Sequence, residues 1–78
     1  MYSYTVKKTA DEKAFFLACR AIEREVSGLR KERLLEDVDG TQIQIYYAPK
    51  GEIKVVNDYE VDAVYVDSEV RLACFQRS

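Results

Sequence analysis

The dipeptide Asp39-Gly40 lies between two strand-like runs, and this placement constrains the fold more than any other feature of the chain. A two-residue type I′ turn needs positive φ at both central positions, which favours Asn or Asp followed by Gly. Strands joined by such a turn are antiparallel neighbours. Arg30 to Val38 is therefore expected to enter the turn as a strand, and Gln42-Ile43-Gln44-Ile45-Tyr46-Tyr47 to return beside it with strict alternation. Residues 29–38 also admit a helix continuing past Gly28. The returning strand favours the extended form.

The remaining punctuation adds strands. Tyr2, Tyr4 and Val6 alternate with Ser3, Thr5 and Lys7, which predicts a first strand with one apolar face. Pro49-Lys50-Gly51 supplies a turn after Tyr47, Ile53-Lys54-Val55-Val56 returns, and Asn57-Asp58 suggests another turn. Glu60 to Val66 is β-favouring, Asp67-Ser68-Glu69 breaks it, and Val70 to Phe75 closes the series. One helix interrupts the strands. Thr9 with Glu12 fits a capping box, Phe15, Ala18, Cys19, Ile22 and Val26 form one apolar stripe, and Gly28 is placed to cap the C-terminal end.

These elements predict an α+β fold in the order β-α-β-β-β-β-β, with a single helix packed on one face of a curled antiparallel sheet. At 78 residues the chain forms one compact domain, 1–78. Folding hides about 60–65% of the surface that the unfolded chain of a domain this small exposes. A helix is about 10–12 Å across and strands are about 4.8 Å apart, so one helix shields two or three strands. The uncovered remainder calls for curling or for a second copy of the sheet. Tyr2, Tyr4, Tyr46, Tyr47, Tyr59 and Tyr65 fall in strands or at their ends, and a Tyr-rich sheet face suits association.

The run Leu34 to Thr41, an apolar segment followed by Asp-x-Asp-Gly-Thr, resembles the aspartyl-nucleophile motif of haloacid-dehalogenase-type phosphatases. The resemblance implies Asp37 as nucleophile and Asp39 as general acid/base, on a parallel sheet. It covers about a tenth of the chain. Parallel crossovers take a dozen residues or more each, so 78 residues with one helix cannot build that sheet.

Other chemistries lack their residues. The chain has no histidine, so no Ser-His or Cys-His pair exists, and two cysteines without histidine make a poor structural zinc set. Cys19 and Cys74 read as small buried thiols whose mutual distance the sequence leaves open. Asp58, Glu60 and Asp62 lack the Gly and terminal Glu of a calcium-binding EF-hand loop. The sequence therefore predicts no enzyme activity, no catalytic residue, no cofactor and no metal.

Charge leaves two binding readings. Asp58, Glu60 and Asp62 would project from one face of a regular strand as an acidic contact surface, and Arg30, Lys31 and Arg33 form a basic cluster after the helix. At opposite sheet edges the two groups could pair reciprocally across a two-fold axis. The expectation is a non-catalytic protein-interaction or regulatory module, self-associating as a homodimer or binding a protein partner through Tyr46, Tyr47, Tyr65, Asp58, Glu60, Asp62, Arg30, Lys31 and Arg33. The alternative is a nucleic-acid-binding accessory protein that uses Arg30, Lys31, Arg33 and the strand tyrosines. A net charge of −2 works against approach to a polyanion. No apolar run reaches the about 18–20 residues of a membrane span and Met1 to Lys8 lacks signal-peptide order, so a cytoplasmic protein without membrane contact is expected.

Overall fold

The computed structural model describes residues 1–75. Strand β1 (Tyr2–Lys7) leads to helix α1 (Glu12–Glu25), which is followed by two short strands, β2 (Arg30–Lys31) and β3 (Leu35–Glu36). The longer strands β4 (Gln42–Ala48), β5 (Gly51–Asp58) and β6 (Ala63–Ser68) form a meander, and a 3-10 turn covers Ala73–Phe75. The sheet is antiparallel and open, in the order β1-β6-β5-β4-β2, with β3 on the same edge of β4 as β2. The α+β class and the β-α-β-β-β-β-β order are as expected.

Segment 29–38 is extended, not helical, but it is not one regular strand. Arg30 and Lys31 pair with Tyr47 and Tyr46, whereas Leu35 and Glu36 pair with Ile43 and Gln42. The register thus advances by one residue between β2 and β3, and the extra residue makes a bulge. The Glu32 N–H still donates to the Ile45 carbonyl (3.0 Å), so the edge of β4 stays covered.

The turn at Asp39-Gly40 differs from the expected type I′. Gly40 has φ +89 but Asp39 does not have positive φ. The Gly40 N–H donates to the Asp37 carbonyl (3.0 Å) and the Asp37 N–H to the Thr41 carbonyl (2.8 Å). Val38 to Gly40 is therefore a three-residue loop, a type I turn closed by a glycine bulge. Asp39 keeps negative φ because its Oδ1 accepts the Thr41 N–H (3.0 Å).

The cap of α1 is Asp11, not Thr9. The Asp11 carboxylate accepts from the Lys13 and Ala14 N–H groups and forms an ion pair with Lys7. The buried Asn57 Oδ1 accepts the Asp11 N–H (2.9 Å) and so fixes the residue at which the chain turns into the helix. At the other end α1 stops at Glu25, ahead of the expected Gly28, because Val26 is already extended.

The core lies between α1 and one face of the sheet. It consists of Phe15, Ala18, Cys19 and Ile22 from the helix, Tyr46, Ile53, Val55, Val64 and Val66 from the strands, and Leu72. The segment after β6 is not the expected strand over 70–75. It crosses onto the helix side, where Leu72 is buried, its N–H donates to the Tyr4 hydroxyl (3.0 Å), and the Glu25 carboxylate accepts the Ala73 and Cys74 N–H groups. Helix and tail together cover one face. Cys74 is exposed on this tail, not buried as expected, while Cys19 is buried and both thiols are free. No helix among the described residues is long and apolar enough to cross a membrane.

Candidate functional site

Among the described residues nothing is layered over the face of the sheet opposite α1, and the composition of that face follows from β4. Side chains alternate between faces along a strand. Tyr46 is fully buried against the helix, and its hydroxyl donates to Glu23 Oε2 (2.5 Å). Gln42 and Gln44 share that side and are each 3% exposed. The isoleucines between them, Ile43 and Ile45, therefore face outward. This strand is inverted relative to the usual apolar-in, polar-out pattern of a half-solvated antiparallel sheet.

The buried amides are satisfied. Gln42 Nε2 donates to Glu12 Oε2 and Gln42 Oε1 accepts from Asn57 Nδ2, both at 3.0 Å. Gln44 Nε2 donates to the Glu32 carbonyl (2.5 Å). Among the described residues no buried side-chain nitrogen or oxygen lacks a partner. This network locks the register, since a one-residue slip would exchange the two faces.

Pairing across the sheet builds the open face in rows. Leu35, Ile43, Val56, Tyr65 and Thr5 lie side by side from β3 to β1. Val56 is only 3% exposed, flanked by Ile43 and Tyr65, and at the margin Leu35 is 45% exposed. The next row is Ile45, Lys54, Asp67 and Ser3, and beyond it Arg30, Tyr47 and Glu52. The guanidinium of Arg30 lies 4.8 Å from the centre of the Tyr47 ring and forms a salt bridge to Glu32 (3.2 Å). Ser3 Oγ donates to Asp67 Oδ1 (2.9 Å). Burial, with the carboxylates of Asp58 and Asp67 nearby, pushes the Tyr65 hydroxyl above its ordinary range and keeps it a neutral donor. An apolar centre of Ile43, Ile45, Val56, Leu35 and Tyr65 is thus bordered by charges of both signs.

The residues singled out from sequence are distributed differently from expectation. Tyr47 and Tyr65 lie on the open face, but Tyr46, on the other side, offers no surface to a partner. Asp58, Glu60 and Asp62 do not form a ladder on one strand. Strand β5 runs through Asp58, past the turn expected at Asn57-Asp58, and β6 begins only at Ala63, not Glu60, so Tyr59 to Asp62 are the turn. Asp58 Oδ1 accepts the Glu60 and Val61 N–H groups, and Asp62, with φ 60, accepts the Ala10 N–H (2.8 Å). These acids sit at an end of the sheet between two central strands, not at an edge opposite the basic cluster. That cluster is also divided. Arg30 covers Tyr47, Lys31 forms a salt bridge to Glu23 on the helix side (3.1 Å), and Arg33 is exposed in the bulge between β2 and β3.

Ile43, Ile45, Val56 and Leu35 were not identified from the sequence as surface-forming. The signal was present in the strict Gln-Ile-Gln-Ile alternation, which shows that β4 has two unlike faces but not which of them the helix covers. No protein-family model, curated protein or solved structure matches this chain.

Proposed function

We propose that this protein is a small non-catalytic interaction module that self-associates through the open face of its sheet, two copies meeting across a two-fold axis. The observation that carries this reading is the inverted polarity of β4, with two hydrogen-bonded glutamines inside and two isoleucines outside. A monomer would be better served by the opposite arrangement, because buried amides contribute little net stability and the half-buried outward isoleucines still leave apolar surface in water. A second sheet laid over Ile43, Ile45, Val56 and Tyr65 supplies the missing layer.

Charge and size support a second copy as the occupant. The border carries Arg30 and Lys54 beside Glu52 and Asp67, so a two-fold rotation can set unlike charges of two copies against each other. The Cα extents are 32 × 30 × 20 Å, and the largest projection has room for the about 800 Å² that each partner gives to an ordinary interface.

Light scattering on a size-exclusion peak, at low and high salt, tests the proposal. The expected mass is twice the 9.0 kDa of the chain at both salt concentrations, because burial of Ile and Tyr is not screened. Ile45→Glu is expected to give a monomer whose circular dichroism matches the parent. A 9.0 kDa species throughout the micromolar to submillimolar range overturns self-association. Excess absorbance at 260 nm that salt removes would make a nucleic-acid accessory role the better reading.

A further inference from the structure

The outward side of α1 carries a second surface, of different chemistry. Lys13, Phe16, Leu17, Arg20 and Arg24 fall within about 100° of arc and extend about 16 Å along the axis. Phe16 is 43% exposed and Leu17 57%, although both lie in the middle of the helix. Together with Lys13 and Arg20 they line a shallow, open depression on the helix surface.

The stripe is cationic because the carboxylates of the helix make their direct contacts elsewhere, although Glu23, at its edge, is near enough to attract Arg20. Glu12 accepts from Gln42, Glu23 accepts from Tyr46 and pairs with Lys31, and Glu25 accepts from Ala73 and Cys74. Lys13, Arg20 and Arg24 form no salt bridge among the described residues. A chain of net charge −2 thus presents an outer helix surface of three cations around two exposed apolar side chains, with no acid among them.

We infer that this stripe docks an acidic protein segment carrying one large apolar anchor, the anchor seated between Phe16 and Leu17 and its flanking carboxylates on Lys13, Arg20 and Arg24. Arg and exposed aromatic side chains are the residue types that concentrate binding energy at interfaces. A membrane surface is a poorer fit, because recognition of anionic lipid takes clusters of four to eight basic residues and the opposite face of α1 is already spent on the core. A nucleic acid is poorer still, since three cations neutralise few phosphates and the net charge opposes approach. The surface lies on the other side of the molecule from the open sheet face, so the inference holds for monomer and dimer alike.

The test is fluorescence anisotropy with a labelled peptide of Asp and Glu residues around a single Phe-Leu pair. A matched peptide with Ser-Ser in place of the pair, phosphatidylserine vesicles and a single-stranded oligonucleotide serve as competitors. Micromolar binding is expected for the first peptide, about tenfold weaker binding for the Ser-Ser peptide, a similar loss in Leu17→Ser and a larger one in Arg20→Glu. Amide chemical shifts of the unmodified protein should move at Lys13, Phe16, Leu17, Arg20 and Arg24, which needs no variant to fold. Equal binding of both peptides, absence of binding at the protein's solubility limit, shifts confined to the open sheet face, or tighter binding of vesicle or oligonucleotide would each overturn the inference.

Discussion

The two faces of this sheet are made by the same strands and differ in how completely they are finished. On the helix side Phe15, Ile22, Tyr46, Ile53, Val55, Val64 and Val66 are closed in, and the polar groups among them, Gln42, Gln44, Asn57 and Ser68, all have partners. On the other side Leu35, Ile43, Ile45 and Tyr65 border solvent, and only Val56, in the centre, is covered by its neighbours. The difference shows where an amide is tolerated in a small core. Gln42 and Gln44 occupy positions where strand edge, helix N-terminus and β2–β3 bulge offer acceptors and donors within reach. Their inward placement obliges the isoleucines to face outward.

The sharpest test of this contrast pairs equivalent truncations on neighbouring strands. Ile53 lies on the closed face and Ile45 on the open one, in adjacent cross-strand pairs. Ile53→Ala should cost about 2–5 kcal/mol by urea denaturation, the range for a buried aliphatic whose cavity only partly collapses. Ile45→Ala, measured at a concentration where the protein is monomeric, should cost less than about 1 kcal/mol, with its main effect on association. Equal losses would mean that the open face is as well packed as the core, and the contrast between the faces would fail.

The polar side of the closed face breaks next. Asn57 holds the Asp11 N–H with Oδ1 and Gln42 Oε1 with Nδ2, and so links the helix cap to β4. Asn57→Ala leaves both partners unsatisfied in a site with little access to water, and should cost about 1–3 kcal/mol in thermal or urea melts. Amide exchange should also quicken over Asp11 to Ala14 if Asn57 anchors the cap. Unchanged exchange there would assign the cap to Asp11 alone.

How much of this was legible in the sequence depends on how local the deciding interaction is. The stripe Phe15, Ala18, Cys19, Ile22 was readable because helical periodicity alone selects the covered side. The facing of β4 was not, because Gln-Ile-Gln-Ile alternates equally well either way and the choice is made by Asn57, Glu12 and Glu32, distant in sequence. The helix start failed for the same reason. Thr9 and Asp11 both satisfy local capping chemistry, and Asn57 decides between them. Val70 to Phe75 has the residues of a strand, yet the Glu25 carboxylate draws two of its N–H groups to the helix side. Of the candidate site, Tyr47, Tyr65 and Arg30 were identified, and the aliphatic centre was not.

The smallest expected effect concerns Glu23, an ionised group at the rim of the closed face. The Tyr46 hydroxyl donates to Glu23 and Lys31 pairs with it, and these contacts, the tyrosine first, hold the Glu23 carboxyl below the usual carboxylate range. A carboxyl whose pKa is lowered by folding adds stability above its unfolded value, about 4.3 for Glu, and that contribution is lost as the pH falls through the folded value. Glu23 remains partly solvated, so the effect on Tm is small. Tyr46→Phe removes the largest cause while keeping the ring in the core. Its Tm deficit relative to the parent should therefore be greater at pH 6 than at pH 3, followed by circular dichroism, because at pH 3 the parent has lost part of the same contact. Parallel melting curves across that range would mean that the hydroxyl contributes through packing alone, and that the helix-side face owes nothing to the charge at its rim.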